Sequence, residues 1–107
     1  MNTKAIYMIK CNDNDGFYIG SSKNIWSRFS YHLYNLRKGN HTSYLLQKSF
    51  NEYGEKSINM IVLEFVSDIS VLKEREKIYI KDLSPKFNTY IGYRGGINKR
   101  KRLRETA

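Results

Sequence analysis

Ala5-Ile6-Tyr7-Met8-Ile9 and Phe17-Tyr18-Ile19-Gly20-Ser21-Ser22 are the two stretches that decide the fold. The first is β-branched and aromatic, with Ile6 and Met8 alternating against Tyr7 and Ile9. It reads as a strand from Ala5 to Lys10. Asn12-Asp13-Asn14-Asp15-Gly16 follows, a run of turn formers that should close a hairpin. Phe17 to Gly20 is the return strand, with Tyr18 and Gly20 on one face and Phe17 and Ile19 on the other. A short hairpin obliges these two strands to be antiparallel.

Outward from the hairpin the period changes. Ser22 or Asn24 can cap a helix over Ile25 to Lys38, with Ile25, Phe29, Leu33 and Leu36 as its buried stripe and Gly39 at its end. A second helix is expected over Ser43 to Tyr53, with Leu46, Phe50 and Tyr53 inward and Gly54 just beyond. Ser57 to Val66 centres on Met60-Ile61-Val62-Leu63 and reads as a buried strand. Asp68 can cap a third helix from Ile69 to Leu83, which Pro85 prevents from continuing. Phe87 to Tyr93 is expected to add a short last strand. The order β-β-α-α-β-α predicts an α/β fold. Three helices would flank a small mixed or antiparallel sheet of three to four strands.

The chain has 107 residues, 40% hydrophobic and 14% aromatic, enough for one packed domain. Its single cysteine, Cys11, excludes an internal disulfide and a cysteine-rich zinc site. No run approaches the roughly 18 apolar residues of a membrane span, and no apolar leader opens the chain. A soluble, cytoplasmic protein with no membrane partner is expected. The net charge is +9, of which residues 94–107 carry +5 through Arg94, Lys99, Arg100, Lys101, Arg102 and Arg104 against Glu105. Residues 96–107 read as a mobile basic tail. No Asp or Glu occurs between Asp15 and Glu52, a window holding Lys23, Arg28, Arg37, Lys38 and Lys48. Such a surface suits a polyanion, and Lys23, Arg37, Lys38, Lys48, Lys99, Arg100, Lys101 and Arg102 are its expected contacts. A surplus serving only solubility is the alternative.

Three groups could carry chemistry. Glu76 interrupts an apolar stripe of Leu72, Ile80 and Leu83, and a buried carboxylate needs a cation or hydrogen bonds. A salt bridge to an arginine across the core and a metal-ligand role both satisfy that need. Arg28 and His32 are spaced i, i+4 on one helix face, where a guanidinium can grip a phosphate. A solvated arginine beside a packed histidine has the same spacing. Tyr7 and Tyr18, taken alone, are ordinary strand tyrosines.

Together, in this order and spacing, these residues resemble the GIY-YIG nuclease family, and the likeness covers residues 4–93. Tyr7 matches the first tyrosine of the motif, Tyr18 the second and Gly20 its closing glycine. Arg28 matches the helix arginine, Glu76 the metal-binding glutamate and Asn88 the late asparagine. Lys38-Gly39-Asn40-His41-Thr42-Ser43 and Gln47-Lys48-Ser49-Phe50-Asn51-Glu52-Tyr53-Gly54 are similar to elements of phage intron-encoded homing endonucleases. The chain departs from those relatives at Ala5, Ser27 and Ile91. The resemblance implies a catalytic domain over residues 1–95 that hydrolyses phosphodiester bonds of double-stranded DNA. It implies one Mg²⁺ or Mn²⁺ ion on Glu76, charge stabilisation by Arg28 and water activation by Tyr7 with Tyr18. His32 and His41 would tune that proton transfer and Asn88 would position a neighbour. A repair or restriction nuclease of the same family, and a non-catalytic nucleic-acid-binding module, are the other readings.

Overall fold

A computed structural model of the chain describes residues 2–88. Strands β1 (Ala5–Cys11) and β2 (Phe17–Ser22) form the expected hairpin, closed by Cys11 N–H donating to the Gly16 carbonyl at 2.9 Å. Strand β3 (Ile58–Phe65) pairs with the other side of β1, so the sheet order is β2-β1-β3 and every pairing is antiparallel. That settles the sheet as antiparallel, with three strands among the described residues.

β1 is central and covered on both faces, which is why Ala5, Ile6, Tyr7 and Ile9 are all buried whichever way they point. One face carries Ala5, Tyr7, Ile9 and Cys11, packed with Ile25, Leu36 and Leu46. The other carries Ile6 and Ile19, packed with Val66 and Leu72. Helices α1 (Ile25–Lys38) and α2 (Tyr44–Tyr53) therefore lie on the first face and α3 (Leu72–Leu83) on the second.

The helix ends follow local chemistry. Asn24 caps α1 by accepting from Ser27 N–H, and Gly39 ends it at φ 78°, a left-handed turn that favours glycine. Ser43 is the cap of α2 rather than its first residue, its hydroxyl accepting from Leu46 N–H. Asp68 caps as expected, but the segment begins as a tight turn over Ile69–Val71 and becomes α-helical at Leu72.

Four expectations change. In α1 the buried position is His32, with Leu33 only half-buried, because the ring of His32 is drawn inward by hydrogen bonds. Tyr53 and Leu83 are exposed, each being the last residue of its helix. β3 is an edge strand, so Ile61 stays 39% exposed. Lys86–Asn88 forms a tight helical turn rather than the start of a strand. The rest of that expected strand and the basic tail fall outside the described residues.

Candidate active site

Tyr7 and Gly20 face each other across the β1–β2 pair. A side chain at position 20 would place its Cβ 2.6 Å from Tyr7 Cζ and onto the phenolic oxygen. Glycine is therefore required there by the close approach of the tyrosine ring. Tyr7 is 1% exposed, edge-packed by Phe29 at 5.5 Å between ring centres. Its hydroxyl lies 2.6 Å from His32 Nε2. His32 Nδ1 lies 2.7 Å from His41 Nε2, and His41 Nδ1 accepts the backbone N–H of Ser43 at 2.9 Å. The two imidazoles stack at 4.9 Å, and Tyr18 borders both, at 5.5 and 5.9 Å.

Both imidazoles of this network are buried and held neutral. Burial pushes His32 down to about 3, helped by the adjacent His41 ring and the charge of Arg28. Burial alone takes His41 down to about 4. Neutral imidazoles can be buried at little cost when both ring nitrogens are hydrogen-bonded.

The segments flagged by resemblance acquire physical roles here. Gln47 accepts the backbone N–H of His41 at 3.0 Å and donates to the Leu36 carbonyl at 3.0 Å, bracing the loop against α1. Ser43 donates its hydroxyl to the Phe87 carbonyl at 2.6 Å. Sequence reasoning left Gln47 and Ser43 without a task; polar residues one turn apart on an apolar helix were the signal. Asn88 pins the free edge of β2 like a partner strand. Its Oδ1 accepts from Ile19 N–H and its Nδ2 donates to the Ile19 carbonyl, both at 2.7 Å. Both ends of the amide are thus spent on holding the strand that carries Tyr18 and Gly20.

Glu76 is on the opposite face of the sheet. It does not sit in a closed core stripe, since only Leu72 of its neighbours is fully buried and the carboxylate keeps 17% exposure. No arginine among the described residues reaches it. Its Oε1 accepts from the Ser21 hydroxyl at 2.6 Å and from Lys73 Nζ at 3.2 Å. Its Oε2 carries no hydrogen bond among the described residues. Ser21, the residue after Gly20, was quoted in the motif but not recognised as the brace of this carboxylate.

The arginines differ in the same way. Arg37 binds Glu55 through two hydrogen bonds of 2.9 and 2.7 Å, and Arg75 binds Glu64 at 2.9 Å. Arg28 is exposed and has no acidic partner among the described residues. Arg37 is therefore engaged where a free phosphate contact was expected. Lys23, Lys38 and Lys48 are exposed, and Lys38 lies over the Tyr34 ring at 5.6 Å. Lys99, Arg100, Lys101 and Arg102 fall outside the described residues.

No group of three or more His, Cys, Asp or Glu side chains is placed to hold an ion among the described residues. One carboxylate with an open oxygen fits a hard divalent cation whose other ligands are water and phosphate oxygens. No helix among those residues is long and apolar enough to cross a membrane.

The fold is a small α/β domain built on an antiparallel sheet, with its polar groups gathered on either side of β2, and the comparisons assign it to a family. The GIY-YIG catalytic domain family matches residues 3–91, and the chain belongs to that family. Intron-associated endonuclease 1 of Enterobacteria phage T4 is 39% identical over 86 residues, which is 80% of this chain and 35% of that protein. Two solved structures are similar. The catalytic domain of the homing endonuclease I-TevI superposes with a TM-score of 0.71 at 36% identity, covering 81% of this chain and 95% of that one. A glutamate-to-alanine mutant of the I-TevI catalytic domain gives 0.72 at 36% identity, covering 84% and 92%.

Proposed function

We propose that the chain is the catalytic domain of a divalent-metal-dependent endonuclease of the homing type, hydrolysing phosphodiester bonds of double-stranded DNA. The observation that carries this reading is the pattern of commitment among the polar groups. Arg37 and Arg75 are spent on carboxylates, whereas among the described residues Arg28 has no acidic partner and Glu76 keeps an open oxygen.

Each residue has a task in that reaction. Arg28 neutralises charge growing on the phosphoryl group, work that a preorganised guanidinium does without reorganisation. Tyr7 orients the attacking water and accepts its proton when present as phenolate, with Tyr18 lining the same pocket. Glu76 holds the cation, with Ser21 fixing the carboxylate rotamer. A Mg²⁺ or Mn²⁺ ion bound there supplies Lewis-acid activation of the scissile phosphate and stabilises the leaving oxygen. Asn88 keeps β2 in register, and two adjacent residues of that strand, Gly20 and Ser21, position Tyr7 of β1 and Glu76 of α3. Lys23, Lys38 and Lys48 attract the DNA backbone, with Lys99, Arg100, Lys101 and Arg102 adding charge in sequence.

The test is single-turnover incubation of supercoiled plasmid with excess protein, in Mg²⁺, in Mn²⁺ and in EDTA. Nicked or linear DNA that forms only with the divalent ion is expected. DNA that binds yet stays intact at every protein concentration would reduce the chain to a binding module.

A further inference from the structure

The hydrogen-bond chain behind Tyr7 has a direction, and the backbone sets it. A peptide N–H donates at every pH, so the Ser43 amide 2.9 Å from His41 Nδ1 requires a lone pair on that nitrogen. Neutral His41 then carries its proton on Nε2. That proton faces His32 Nδ1 at 2.7 Å, which must accept it. Neutral His32 in turn carries its proton on Nε2, 2.6 Å from the Tyr7 oxygen. We infer that the Ser43 amide and His41 form a tautomer-setting relay that locks His32 as a hydrogen-bond donor to Tyr7, so that His32 stabilises the phenolate and is not the acceptor of its proton.

The opposite polarity fails at its far end. To take the proton of Tyr7 on Nε2, neutral His32 would have to begin as the Nδ1–H tautomer; His41 Nε2 would then have to accept, and its own proton would move to Nδ1. There it would meet the Ser43 N–H, donor against donor, in a buried site. An imidazolium at His32 has the same consequence, because its Nδ1 also becomes a donor. Burial and the charge of Arg28 oppose that cation independently. The relay therefore presents one polarity at low cost. Donation to the Tyr7 oxygen favours negative charge there, which is the state that can take a proton from water. The proton of Tyr7 leaves on the side of the hydroxyl away from His32 rather than into the relay.

The surroundings hold this direction in place. The Ser43 amide is fixed because its hydroxyl is tied to Phe87 and Leu46, and the His41 backbone is tied to Gln47. Gln47 is itself held by Leu36 and Asn51. The titratable or charged groups facing the relay are Tyr18 from β2 and Arg28 from α1. Neither offers His32 a carboxylate. His41, Ser43 and Gln47 are thus positioning residues acting through His32, which touches Tyr7 directly.

This inference deepens the proposed activity at the same site, yet its first test needs no cleavage. Long-range ¹H–¹⁵N spectra of the DNA-free protein assign the protonated nitrogen of each imidazole. Both rings are expected as Nε2–H tautomers from pH 5 to 8. A Nδ1–H tautomer or a charged ring at His32 within that range would overturn the relay. Its failure is separable from failure of the endonuclease reading, because the spectrum is independent of turnover. His41→Gln and His41→Leu extend the test. The glutamine amide can still donate to His32 Nδ1, whereas leucine cannot. His32 should keep the Nε2–H form in the glutamine variant and become a tautomer mixture in the leucine variant. The single-turnover rate should fall at least ~10-fold further in the leucine variant, within the range that positioned proton-transfer groups contribute. An unchanged Nε2–H tautomer in both variants would show that His41 does not set it. Should either variant fail to fold, the wild-type spectrum decides alone. In the wild type, a rate profile without a limb near pH 6.5 is the expected companion; a limb there would mean that one of the histidines titrates in turnover.

Discussion

On the α1/α2 face of the sheet, Tyr7, His32 and His41 are buried and joined end to end, whereas on the α3 face Glu76 is partly exposed and, among the described residues, hydrogen-bonded through one oxygen only. The contrast follows from what each group costs to bury. Neutral imidazoles and a phenol lose little when every polar atom finds a partner, so they can be enclosed and fixed. A carboxylate without an arginine would cost far more in the same place, so it stays at the rim, where water and a cation can reach it. β2 serves both arrangements with adjacent residues. Gly20 makes room for Tyr7 on one side, and Ser21 holds Glu76 on the other. A preorganised proton-handling half and an open charge-handling half are thus joined by one peptide bond.

Removing the charged half should have the largest effect. Glu76→Ala is expected to lower metal-dependent cleavage by on the order of 10³-fold or more, the equivalent of several kcal/mol of lost charge stabilisation. Stability should change little, because the pair with Lys73 is exposed and only the Ser21 hydroxyl loses a partner. An unfolded variant, seen by circular dichroism, would make Glu76 a structural residue and erase the contrast. Arg28→Ala comes next. A loss of ~10²–10³-fold in single-turnover rate is expected, with only modest weakening of DNA binding. If the rate at saturating protein is unchanged and affinity alone falls, Arg28 is a phosphate anchor.

The buried half should respond through geometry rather than charge. Gly20→Ala drives a methyl group into the Tyr7 ring and separates the phenol from His32. Overpacking of this kind costs ~1–3 kcal/mol of stability. The cleavage rate should fall together with thermal stability, while metal affinity, which depends on the other face, stays the same. Metal affinity that drops in parallel would mean the two faces are not mechanically separate.

Much of this was legible in the chain because it rests on local rules. The Asn12–Gly16 turn, the period of α1 and the caps at Asn24 and Asp68 are short-range chemistry, and they lie where the pattern places them. Tyr7, Tyr18 and His32 come together as their spacing and the family likeness imply. What the sequence hides are contacts between residues far apart in the chain. Nothing near Glu76 announces Ser21, which is 55 residues away. Nothing near Ile19 announces Asn88, which is 69 away. The exposure of Ile61 depends on β3 lying at an edge, and a buried strand and an edge strand share the same apolar run. The direction of the relay depends on one backbone amide, which no side-chain pattern encodes.

The smallest effect at neutral pH, and the one that isolates the buried half most cleanly, is on acid stability. His32 and His41 have folded values of about 3 and about 4, below the ordinary 6.5. Between pH 6.5 and about 4 the unfolded chain binds protons that the native chain refuses. Stability from these two rings is therefore fully present above pH 6.5 and declines as pH falls, until each folded value is passed. Each refused proton contributes ~1.4 kcal/mol per pH unit over that window, so the two together withdraw on the order of several kcal/mol. Glu55 and Glu64, held low by Arg37 and Arg75, start to matter only below their ordinary 4.5, which leaves pH 6.5 to 5 to the histidines. Denaturant unfolding at steps across that interval should show a steady fall in midpoint for the wild type and a shallower fall for His41→Gln. A wild-type midpoint that is flat from pH 6.5 to 5 would mean the rings take up protons in the folded state. The buried half would then be as open to charge as the face that carries Glu76.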